Sequence, residues 1–148
     1  MTAPRALAMG LLALVAAALP AAAEAGPQCR ISVTASVDGS FAAAGHDSRP
    51  ARLRPLAALT RDRFVTAARR LCASGALRPA DLARFRRLVV QNGEGATDPL
   101  IYRDEAAAKG SYVFQYAFQD GGPPEPAAFE QALRCWKRPN SPGCDFGD

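Results

Sequence analysis

The chain contains one histidine, two lysines and one tryptophan in 148 residues, and each scarcity narrows the chemistry open to it. His46 is the only side chain whose ordinary pKa lies near neutrality, so a Ser–His–Asp or Cys–His arrangement would have to be built on one loop position between Gly45 and Asp47. No G-x-S-x-G stretch is present to hold a serine nucleophile. The four cysteines, Cys29, Cys72, Cys135 and Cys144, include no C-x-x-C pair, which argues against thiol exchange, and the paired Cys/His spacings of structural zinc sites are missing too. Asn92, Glu94 and Asp98 offer oxygens in a glycine-rich stretch but do not follow the EF-hand spacing. No metal and no cofactor is expected. Beyond the first 25 residues no apolar run approaches the about 20 residues that a membrane-spanning helix requires.

The first 25 residues read differently. Arg5 precedes an uncharged apolar run from Leu7 to Leu19, which is too short for a stable anchor and fits the hydrophobic region of an export signal. Pro20 breaks the run, and Ala23-Glu24-Ala25 supplies an A-x-A cleavage site before Gly26. Residues 1–25 are therefore predicted to be a signal peptide and 26–148 a single mature domain, exported to the periplasm or secreted, with no stable membrane insertion after cleavage. Sixteen arginines against two lysines, abundant alanine and only two isoleucines and two asparagines are the usage of a GC-rich, bacterial genome.

An even number of cysteines in an exported chain implies two disulfides. Three pairings are possible. Pro139, Pro142 and Gly143 let the chain turn back between Cys135 and Cys144, which favours that local bridge with Cys29–Cys72 as the second. The chain-entropy model assigns the longer loop about 4 kcal/mol and the shorter about 2.7 kcal/mol.

From Cys29 to Val37 apolar and polar residues alternate, as in a half-buried strand ended by Asp38-Gly39. Residues 40–55 lack sustained periodicity and read as a loop interrupted by Gly45, Pro50 and Pro55. Thr60 is placed to cap a helix, Leu59 to staple against Phe64, and Phe64, Val65, Ala68, Leu71 and Cys72 to form its buried stripe, with Gly75 as the stop. Pro79 opens a further helical segment whose end is ambiguous, because Leu88-Val89-Val90 fits a helix or a strand equally. Leu100 to Arg103 and Ser111 to Gln119 read as strands, and Pro126 opens a last helix with Phe129, Ala132, Leu133 and Trp136 on one face, stopped by Pro139. The expected fold is α+β: a small antiparallel sheet with two or three helices packed on one face, stabilised by disulfides.

Tyr112, Phe114, Tyr116 and Phe118 share one strand face. Such a row fits a stacking platform for sugars or bases, but helices need a sheet surface to pack on, so the row is expected to be core. Charge is unevenly distributed. Eleven arginines against Asp62 and Asp81 give 49–87 a balance of +9, while the chain from Leu88 onward carries −4. With Arg63 and Arg70 opposite the stripe of one helix, and Arg84 and Arg87 outward on the next segment if it is helical, these four arginines are predicted to form one outward patch for an anionic envelope component or an acidic protein. Nucleic acid is not expected outside the cell. The function anticipated is thus a small non-enzymatic binding or accessory module of the envelope, inhibitor-like in character. The alternative is a small envelope hydrolase acting through His46 or through Asp98, Asp104 and Glu105.

Overall fold

The computed structural model of the protein describes residues 27–43, 50–93, 98–118 and 124–144. The segment predicted to be an export signal, its predicted cleavage site, His46 and Glu94 lie outside the described residues. A single 3-10 turn, Pro27–Cys29, leads into β1 (Thr34–Val37). A helical turn α1 (Ser40–Ala43), the long helix α2 (Pro50–Ala73) and a second short turn α3 (Pro79–Leu82) precede β2 (Arg87–Asn92). Then come β3 (Leu100–Arg103), β4 (Ser111–Tyr116) and α4 (Pro126–Lys137).

The four strands form one sheet in the order β1-β2-β4-β3. The fold is α+β with helices on one face, as the sequence suggests, but the sheet is mixed and not antiparallel. β1 pairs with β2 and β2 with β4 in parallel, and only β3 runs antiparallel to β4. The reason is the long helix. A strand followed by a helix that runs back along the sheet must start the next strand from the same end, so α2 between β1 and β2 makes those strands parallel.

The first six of that helix's 24 residues, 50–55, fall where a loop is expected from the sequence. Pro50 stands at the start, where a missing N–H removes nothing, and Pro55 is carried inside the helix at the loss of one backbone bond. The flanking alanines, leucines and arginines are strong helix formers, and they carry the helix through. Thr60 is consequently a mid-helix residue and no cap: it is fully buried and its hydroxyl donates to the Leu56 carbonyl at 2.7 Å. Leu59 is 44% exposed, so it does not staple. Of the expected stripe Phe64, Ala68, Leu71 and Cys72 are buried, together with Ala57 and Ala67, while Val65 is only half-buried at its edge. Gly75, at φ 78°, ends the helix, its N–H donating to Cys72 and that of Leu77 to Leu71.

Leu88-Val89-Val90 is a strand, which leaves the segment opened by Pro79 only one turn long. The aromatic row is core at Tyr112, Phe114 and Phe118, the last just beyond β4, and half-buried at Tyr116. Phe114 stacks on Phe129 of α4 at 4.2 Å between ring centroids, Tyr112 meets Phe85 at 4.5 Å, and Phe118 meets Phe41 at 5.1 Å. Phe64 of α2 joins the cluster edge-on to Phe85 and Phe129. Two disulfides tie this layer together. Cys29–Cys72 fastens the segment before β1 to the buried stripe of α2, and Cys135–Cys144 closes the chain beyond α4 onto that helix.

Among the described residues the opposite sheet face carries a polar network and no helix layer. Gln91 accepts from the Tyr102 hydroxyl at 2.9 Å and from Gln115 at 3.0 Å, and donates to Asp38 at 3.0 Å. Burial, followed by the negative charges of Asp38 and Asp104, raises the Tyr102 hydroxyl above its ordinary pKa. Among the described residues no helix is long and apolar enough to cross a membrane.

Candidate functional site

The four arginines singled out by sequence do not converge. Arg63 turns toward α4, where it lies 3.2 Å from Glu125 and donates to the Pro124 carbonyl at 3.1 Å. Arg70 pairs with Glu130 of the same helix at 3.5 Å. These two join α2 to α4 across the surface, where such pairs contribute little stability but spend their charge on the molecule's own acids. Arg87 opens β2, and strand alternation sends it to the opposite face from Leu88, near the Ser36 hydroxyl at 3.5 Å. The premise that Arg84 and Arg87 share a helix fails because Arg87 is in a strand.

Arg84 belongs instead to a different group. It sits in the turn after α3, beside a cleft of about 740 Å³ at the end of the sheet where β2 and β4 begin. The cleft is lined by five cations, Arg84, Arg86, Arg103, Lys109 and Lys137, drawn from the α3–β2 connection, the end of β3, the β3–β4 turn and the end of α4. Tyr112 and Trp136 contribute aromatic surface, and Ala80 and Ala83 aliphatic surface. Among the described residues no carboxylate and no side-chain amide lines it. A volume of this size suits a small-molecule ligand.

Each wall is held by backbone geometry. The N–H groups of Arg86 and Arg87 both donate to the Gly110 carbonyl, at 3.0 and 3.1 Å, while the Arg86 carbonyl accepts from Thr34 of β1 at 3.1 Å. Gly110 adopts φ 92°, and the stem of Arg86 passes so close that an added Cβ would meet Arg86 Cγ at 3.0 Å. Glycine here serves both the left-handed turn and the seating of Arg86. Arg103 enters through register, since it stands opposite Tyr112 in the β3–β4 pair. Trp136 is only half-buried. It is expected from its helical spacing to lie under the sheet and does pack on Phe85 at 4.8 Å and edge-on to Tyr112 at 5.9 Å, but it also borders the cleft.

Lys137 is anchored from behind. Its ammonium lies 2.6 Å from Asp81, whose side chain is 2% exposed and also accepts the Arg78 backbone N–H at 2.9 Å. Burial alone would push the Asp81 carboxyl up. The hydrogen bond from Lys137, that from the Arg78 backbone and the nearby positive charge outweigh burial and hold it at about 2. The other four cations have no carboxylate within 4.0 Å among the described residues. Their uncompensated charges face one hollow.

The acids weighed for hydrolysis do not assemble. Asp98 and Glu105 are exposed, and Asp104 accepts the Ala106 N–H at 3.2 Å in the β3–β4 turn. Asp81, the buried carboxylate among the described residues, is committed to Lys137 and Arg78. Among the described residues no cluster of three or more histidine, cysteine or acidic side chains forms a metal site. Comparison with family models, with curated proteins and with solved structures finds no match to this chain.

Proposed function

We propose that the protein is an exported, non-enzymatic binding or accessory module of the bacterial envelope, periplasmic or secreted, which holds an anionic partner in the basic cleft. The observation that carries this reading is the convergence of Arg84 and Arg86 from the α3–β2 connection, Arg103 from the end of β3 and Lys109 from the β3–β4 turn on one hollow that no carboxylate lines among the described residues. Like charges repel, and a fold that gathers them without acids leaves a site whose potential is relieved by an anion. Three of the four are arginines, whose planar fork pairs with carboxylate or phosphate through two parallel bonds. Export is supported by the A-x-A site after a 13-residue apolar run and by two disulfides, which persist in oxidising compartments.

The test is retention of the mature protein on an anionic matrix such as phosphocellulose across a salt series, beside the variants Arg84→Gln/Arg86→Gln/Arg103→Gln and Arg63→Gln/Arg70→Gln. Wild type and the second variant should elute together, and the first variant well before them. If the Arg63/Arg70 variant loses retention and the cleft variant keeps it, the anionic surface is the helix face and the cleft reading is overturned.

A further inference from the structure

We infer that the ligand of the cleft is a ring-bearing organic molecule with at least two carboxylate or phosphate groups, an acidic sugar, its ring against Trp136. The inference rests on the anion-binding reading above and adds the body of the ligand to its charge. Two features of the lining support it.

The first is that the charged lining only donates. Arginine and lysine have no acceptor, and among the described residues no acid or amide side chain borders the cleft, leaving the Tyr112 hydroxyl as the side-chain acceptor there. The hydroxyls of a sugar can accept from these donors, but they leave the positive charges unneutralised, which only an anionic group relieves. Groups that only accept, carboxylate and phosphate, fit this lining.

The second is that half of the cleft is apolar. Trp136, Tyr112, Ala80 and Ala83 face the same space as the cations, and a bare inorganic anion would leave that surface wet. An indole presents a flat face to the CH groups of a sugar ring. The cations stand on two flanks. Arg84 and Arg86 precede β2, whereas Arg103 ends β3, and the β2 and β3 backbones on either side of β4 lie about 10 Å apart. A ring substituted at opposite ends places one anionic group near each flank.

Trp136 is the chain's sole tryptophan, so its fluorescence reports on the cleft directly. The mature, oxidised protein is titrated with trigalacturonate, glucose 1,6-bisphosphate, pyrophosphate and maltotriose. The two acidic sugars should shift Trp136 emission and bind at least tenfold tighter than pyrophosphate; which of them binds tighter tells carboxylate from phosphate as the anionic group. Maltotriose should not bind. Arg86→Gln/Arg103→Gln should weaken both acidic sugars at least tenfold while leaving the denaturation midpoint unchanged. Pyrophosphate binding as tightly as the acidic sugars would overturn the ring inference and leave the anion-binding reading standing. Maltotriose binding equal to trigalacturonate would overturn both, as would the absence of binding by every anion.

Discussion

Replacing Lys137 by methionine should cost more stability than replacing its partner Asp81 by asparagine, because the two charges are unequally buried. The Asp81 side chain is 2% exposed and that of Lys137 28%. The folded carboxyl has its pKa held down from 3.8 to about 2, a difference worth about 2.5 kcal/mol to the folded state at neutral pH. In Asp81→Asn that contribution is lost, but the amide oxygen still accepts the Arg78 N–H and the freed ammonium turns to water, so the cost should be about 2–3 kcal/mol. In Lys137→Met the carboxylate stays buried without its counter-charge, the case in which removing one partner costs about 3–5 kcal/mol. The pH dependence has a definite sign. A carboxyl more acidic when folded than when unfolded stabilises fully above about pH 4, and this stabilisation disappears as the pH falls toward about 2. In Lys137→Met protonation relieves the stranded charge, so the gap between that variant and wild type should close in acid. Urea denaturation followed by circular dichroism at pH 7, 4 and 2.5 measures all three proteins. Equal midpoints at pH 7, or a larger penalty for Asp81→Asn than for Lys137→Met, would refute the assignment of unequal burial.

Three further outcomes are expected. Removing Cys29 and Cys72 together should destabilise by about 4 kcal/mol and removing Cys135 and Cys144 by about 2.7 kcal/mol, as their loop lengths imply; denaturation of the double alanine variants reads the order, and alkylation of the unreduced, unfolded wild type should find no free thiol. Phe129→Ala empties the position stacked on Phe114 and should cost about 3–5 kcal/mol, against less for half-buried Trp136→Ala; equal midpoint shifts would contradict the placement of Trp136 at the cleft. Gly110→Ala forces a left-handed alanine against the stem of Arg86, which should cost about 1–2 kcal/mol and weaken retention on phosphocellulose together with stability; full retention would show that Arg86 does not need this seat.

Periodicity and cysteine placement determined a good part of this protein. The 2-residue alternation of Tyr112 to Phe118 marks a core-facing strand, and the 3.6-residue spacing of Phe64 to Cys72 and of Phe129 to Leu133 marks the faces that cover it, because burial of one side is written locally into each element. The bridge pairing was legible as well, since Pro139, Pro142 and Gly143 bring Cys135 back to Cys144. Two things were not. Pro50 and Pro55 read as breaks, yet the packing of Ala57, Thr60 and Phe64 against the sheet offsets one lost backbone bond, and with that helix hidden the parallel pairing of β1 and β2 was hidden too. The cleft was also invisible. Arg86 and Arg87 are neighbours in sequence but face different surfaces, and Arg103 and Lys109 lie in the acidic half of the chain, where nothing local joins them to Arg84. Only the pairing of Arg103 with Tyr112 across β3 and β4, and of Arg86 with Gly110 at the sheet's end, brings these charges to one hollow. Local patterns record which face of an element is buried; a site assembled from the ends of four elements exists only once strand order and register are fixed.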